Sequence, residues 1–139
     1  MDPIAEIRAR LMKYPNARAQ EGPNSITVLP MDDRGFSVSL HAAGSEFVVS
    51  FAGWHEHFSS AEEALNCFAF GLSEECRLKV RKRGDFAYRW TVESQQNGAW
   101  VEDSTTGFIF FPFWRRQEVA YLQNRLLPAN PTLERERGA

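Results

Sequence analysis

In an extended segment, residues two apart project from the same side of the backbone, so Trp54-His55-Glu56-His57-Phe58 would present two imidazoles together. His55 and His57 are therefore candidate metal ligands, and a small metal-dependent hydrolase is the alternative function they suggest. A zinc centre needs a third protein ligand, for which His41, Glu46 and Asp103 are available elsewhere in the chain. Against this stands a plainer expectation: a loop between strand and helix, with exposed histidines and with Trp54 and Phe58 tucked against the core.

A second chemistry belongs to the run from Arg77 to Arg83, which holds five basic residues in seven. Strand alternation puts Arg77, Lys79 and Arg81 on one face and Leu78 and Val80 on the other, and Arg89 on a neighbouring strand would extend the strip. Cations beside exposed rings on an open sheet can hold single-stranded nucleic acid, which makes these four residues nucleic-acid candidates. The formal net charge of -2 weighs against that use, as do Glu74, Glu75, Glu93 and Glu102 nearby.

Nucleophilic catalysis has little to draw on. Cys67 falls within a helical stripe and Cys76 at a strand entrance, with no Cys-x-x-Cys pair and no local pattern of a thiol hydrolase. No Gly-x-Ser-x-Gly elbow, phosphate-cradling loop or dinucleotide fingerprint is present. Asp103-Ser104-Thr105-Thr106 most simply forms a turn. No cofactor is implied.

The densest feature is aromatic: five of the seven residues from Phe108 to Trp114 carry rings, followed at once by Arg115 and Arg116. Aromatic residues make up 13% of the chain, more ring area than one helix-covered sheet face comfortably buries. Trp and Arg together have the composition of interface hot spots, so Trp54, Phe58, Phe111, Phe113, Trp114, Arg115 and Arg116 are candidates for an interface or ligand wall. The expected partner is a second copy of the chain in a homodimer or another protein, with a small apolar ligand as a further option.

These residues must be positioned by one core, since 139 residues with 43% hydrophobic content match a single ordinary domain, here 1–128. No apolar run reaches membrane-spanning length, and Met1 to Tyr14 is amphipathic rather than a signal peptide, so a soluble cytoplasmic protein without membrane contact is expected. Asp2-Pro3 starts a helix running to about Lys13, followed by a polar connection from Asn16 to Asn24. Alternation then predicts strands around Ile26–Val28, Phe36–Leu40 and Glu46–Ala52. Ser60 and Glu63 form a capping-box pattern opening a second helix, with Gly71 as its left-handed C-terminal cap. Strands follow over 77–81, 86–92 and 100–102, then a polar break over 103–107 and a short strand over 108–111. The spacing of Val119, Leu122 and Leu126 predicts a third helix over 114–127, and 129–139 reads as a disordered tail.

The expected fold is α+β: an antiparallel sheet of six to seven strands in two meanders, with helices packed on one face. The order helix-βββ-helix-βββ(β)-helix carries a faint internal duplication at a spacing of roughly 55 residues. The expected function is a non-catalytic binding or assembly module with an aromatic-rich interface or pocket.

Overall fold

The computed structural model describes residues 1–128, and the disordered tail expected over 129–139 lies outside the described residues. Helix α1 (Pro3–Leu11) begins where the Asp2 carboxylate accepts from the backbone N–H groups of Ile4 and Ala5, satisfying two donors that the first helical turn leaves free. Five antiparallel strands follow: β1 (Ala19–Gly22), β2 (Ser25–Val28), β3 (Val38–Ala43), β4 (Glu46–Phe51) and β5 (Trp54–Phe58), paired in sequence order. Helix α2 (Ala61–Leu72) is capped by Ser60, whose Oγ accepts from the Glu63 N–H at 3.2 Å. Then come β6 (Cys76–Arg83), β7 (Phe86–Gln96), β8 (Ala99–Gly107) and β9 (Gln117–Leu122), in the spatial order β8-β7-β6-β9. The β7–β8 hairpin turns on Asn97 and Gly98, both at positive φ, as a two-residue primed turn requires.

The α+β antiparallel architecture is thus present, divided into a five-stranded and a four-stranded sheet. Helix α2 lies against β3, β4, β5 and β6, so it packs on both sheets at once. Leu65, Phe68 and Leu72 of α2 meet Val38, Leu40, Val49 and Phe51 from one sheet and Leu78 and Val80 from the other in a common buried core. Strand β5 of the first sheet also meets β7 and β8 of the second, the latter through side-chain hydrogen bonds. Trp54 donates its indole N–H to Ser104 Oγ at 2.9 Å, and the His55 N–H reaches Thr106 Oγ1 at 3.3 Å.

Several elements differ from the sequence expectation. The segment 114–127 is not a helix: its centre is β9, which pairs antiparallel with the otherwise open side of β6. Spacing of three and four matched a helix, but the paired edge of β6 supplies a ladder that outweighs local preference. The polar break expected over 103–107 lies inside β8, where Ser104 and Thr105 pair with Val92 and Thr91. The strand expected over 108–111 is instead the start of an irregular connection from β8 to β9. Trp54–Phe58 is a strand rather than a loop, and Ala19–Gly22 is a strand at the edge of its sheet, fully exposed and so lacking any apolar alternation. Gly71 is not a left-handed cap: it lies within α2, where a Cβ would overlap the Phe51 ring.

After β9 the chain crosses back as a strap, and Asn124 is its buried fastener. Its Oδ1 accepts from the Phe36 N–H at 3.1 Å, while Nδ2 donates to the carbonyls of Phe36 and Gly71, each at 3.0 Å. The Leu127 N–H then bonds the Leu72 carbonyl at 3.0 Å. Two of the carbonyls left without helical partners at the end of α2 are satisfied by this strap.

Candidate functional site

Alternation along β6 buries Cys76, Leu78 and Val80 and turns Arg77, Lys79 and Arg81 to the outer face, as the sequence predicts. Register then fixes their neighbours. One cross-sheet row runs Tyr121, Lys79, Thr91, Thr105, and the next runs Val119, Arg81, Arg89, Gly107.

The four basic candidates occupy two different situations. Arg77 forms an ion pair with Glu93, whose side chain is only 6% exposed, and its guanidinium is held between the rings of Trp100 and Tyr121, 4.5 and 4.2 Å from their centroids. It is built into the sheet and has no free face to offer a phosphate. Lys79 lies 3.4 Å from Glu102. Arg81 and Arg89, by contrast, stand directly opposite one another, and among the described residues neither forms an ion pair with a carboxylate. Arg81 Nε is shut off from solvent and, among the described residues, has no hydrogen-bond acceptor. Thr91 and Thr105 share a hydroxyl hydrogen bond of 2.8 Å beside them. Together with Glu102, Gly107, Phe108 and Ile109, these groups line a shallow cleft of about 610 Å³. Gly107 matters here because Arg89 lies across it, 3.3 Å from where a Cβ would stand.

The connection from Phe108 to Arg116 begins at the rim of this cleft. It must cross the ends of β7 and β6, because β8 and β9 are the two outer strands of their sheet. Its base is tied down: the Phe108 N–H bonds the Tyr88 carbonyl and the Gly84 N–H bonds the Arg116 carbonyl, each at 2.8 Å. Phe111 stacks on Tyr88 with ring centroids 4.2 Å apart and planes 14° off parallel. The Phe108 ring rests edge to face on Trp90 and beside Phe86, while most of the other large side chains point outward. Ile109 is 86% exposed, Phe110 88% and Trp114 73%, with Phe108, Phe113 and the nearby Phe86 also exposed. Phe113 and Trp114 touch edge to face, each the other's cover. Arg115 and Arg116 are exposed beside them.

The other interface candidates are placed differently. Trp54 is buried at 3% exposure, stacked on Phe51, and belongs to the core rather than to any interface or ligand wall; Phe58 is half-buried against the same core. His55 and His57 do share the solvent face of β5, their rings edge-on at 5.9 Å, and His57 Nδ1 lies 3.5 Å from Glu46 Oε2. His41 is on the same face, but β4 intervenes, as His41 and His57 both pair with Val48. Among the described residues no group of three or more His, Cys, Asp or Glu side chains could hold a metal ion. Burial, with a smaller contribution from Glu56, pushes the Cys67 thiol up to about 12, and burial drives Cys76 upward too, so both stay protonated and neither offers a thiolate. Between α1, α2 and the strap lies an apolar cleft of about 230 Å³, small for a ligand pocket. Among the described residues no helix is long and apolar enough to cross a membrane.

The sequence did not reveal Tyr121 or Ile109 as members of this surface. Tyr121 falls within the segment expected to be a helix, and Ile109 within the short strand expected over 108–111. Comparison of the chain with protein-family models, curated proteins and solved structures found no match.

Proposed function

We propose that the protein is a non-catalytic binding module that docks a protein partner on the ring-bearing connection between β8 and β9. The observation that carries this reading is the outward display of Phe108, Ile109, Phe110, Phe113 and Trp114 within seven residues, on a base fixed by Phe111. Scattered exposed apolar residues are ordinary, whereas a contiguous group of this size on one segment marks an interaction surface. Rigid anchoring lowers the entropy lost when such a surface docks, and Trp and Arg side by side supply both apolar area and directed hydrogen bonds. A second copy of the chain is the simplest partner, because two-fold homodimers are the commonest assemblies.

Native mass spectrometry of the protein purified from the cells that make it tests this directly. The wild type is expected to carry the mass of a second copy or of another polypeptide, and the variant F110S/W114S to lose that mass while keeping the wild-type melting temperature. If the wild type carries no partner and the variant melts far below it, the rings serve folding and the reading fails.

A further inference from the structure

We infer that the cleft between Arg81 and Arg89 is a carboxylate clamp, and that the partner therefore docks through a chain segment in which an Asp or Glu side chain is flanked by apolar residues. The inference rests on the docking surface proposed above and specifies what that surface recognises.

Of the cations on this sheet face, Arg83 at the end of β6 turns to the Phe111 ring and the Arg115 carbonyl, and the other four are separated by how they are compensated. Arg77 and Lys79 each have a carboxylate, Glu93 and Glu102. Among the described residues Arg81 and Arg89 have none, although they form a directly facing pair in the β6–β7 ladder. Like charges in that position repel, and an anion bridging them would turn the repulsion into attraction on both sides. Among the described residues Arg81 Nε is enclosed without an acceptor, so an anion in the cleft that Arg81 and Arg89 line would be met by their terminal nitrogens. Two guanidinia with their planar forks suit a carboxylate, which accepts two hydrogen bonds from each. Phe108 and Ile109, exposed on the same cleft wall, would receive the apolar side chains on either side of the acid.

The same map disfavours a polyanion. Glu93 and Glu102 interrupt the cationic strip, and Glu102 lines the cleft itself, so a track of successive phosphates along this face would meet carboxylates. A single negative charge between apolar neighbours fits where a phosphate track does not.

The test is panning of a phage-displayed library of random twelve-residue peptides on the wild type, with R81Q/R89Q as counter-screen and R89Q alone should the double variant fail to fold. The wild type should enrich peptides with Asp or Glu next to Leu, Ile, Phe or Trp. A synthetic peptide of the dominant sequence should bind more than tenfold less tightly when its acid is changed to Gln, and more than tenfold less tightly to the arginine variant. Removing one of two facing guanidinia should leave the melting temperature of the free protein unchanged or higher. Enrichment of sequences without an acid, equal binding by the arginine variant, no enrichment at all, or displacement of the peptide by oligothymidylate would each overturn the clamp. Apolar peptides whose binding depends on Trp114 but not on Arg81 would leave the docking surface standing and remove only the clamp.

Discussion

Replacing Asn124 by alanine removes one side chain and strands three backbone groups. The Phe36 N–H, the Phe36 carbonyl and the Gly71 carbonyl all take their hydrogen bond from this amide, at 3.0 to 3.1 Å, in a site where Phe36 and Gly71 are themselves buried. An unsatisfied buried backbone group costs about 1–3 kcal/mol, and with partial relief from neighbouring groups the three together should cost about 3–5 kcal/mol. That is a large share of the ~5–15 kcal/mol by which domains are usually stable. Equilibrium urea unfolding followed by tryptophan fluorescence measures it, with the slope expected to stay constant while the midpoint falls. Asn124→Asp should be worse than alanine, because it sets an acceptor with negative charge against two carbonyl oxygens that need a donor. A loss under about 1 kcal/mol for Asn124→Ala would refute the reasoning, since the strap would then be held by its other contacts and the amide would be dispensable.

Other perturbations probe other parts of the structure. Arg77→Met should cost about 3 kcal/mol by leaving Glu93 buried without its partner, and Arg77→Met/Glu93→Leu should recover most of it, as a double-mutant cycle in urea would read out. Gly71→Ala, although alanine is the better helix former, should destabilise by about 1–3 kcal/mol because its methyl group meets the Phe51 ring, a loss visible as a lower melting temperature. The thiol of Cys67 stays protonated in the folded chain up to about pH 12 but ionises near pH 9.0 when unfolded. The folded state therefore holds the extra proton above pH 9, and stability should fall with rising pH in that window, by at most about 1.4 kcal/mol per pH unit for this thiol. Cys67→Ala should flatten the decline measured by urea unfolding between pH 8 and pH 10.5.

Local chemistry was legible wherever it was decided by neighbours in sequence. Asp2 and Ser60 cap the helices they precede, and the strict alternation of Arg77 to Arg81 gave both the strand and its two faces. The failures are long-range. Gln117 to Leu122 contains residues that suit a helix, and only the partner across the ladder, β6, makes it a strand. Ala19–Gly22 has no buried side chain to betray it. The division into two sheets depends on α2 facing both and on side-chain bonds from Trp54 and His55 to Ser104 and Thr106, residues some fifty positions apart. For the site, the ring cluster and the basic strip were visible as composition. Which cations were already spoken for was not, because Glu93, Glu102, Trp100 and Tyr121 reach Arg77 and Lys79 only through registers that pairing sets.

The passage from β8 to β9 has more chain than its path needs. Three interstrand steps at about 4.8 Å come to about 14 Å, a span that four or five extended residues would cover. The protein runs Phe108 to Arg116 between strands that end at Gly107 and resume at Gln117. The surplus contour length carries the rings, whereas the tether points at Tyr88 and Gly84 hold the ends. Topology and display are therefore separable in this molecule. With Phe111 kept on Tyr88, the exposed positions between the tethers lie outside both ladders, which makes the 108–116 segment a place where a new specificity could be written onto an unchanged frame.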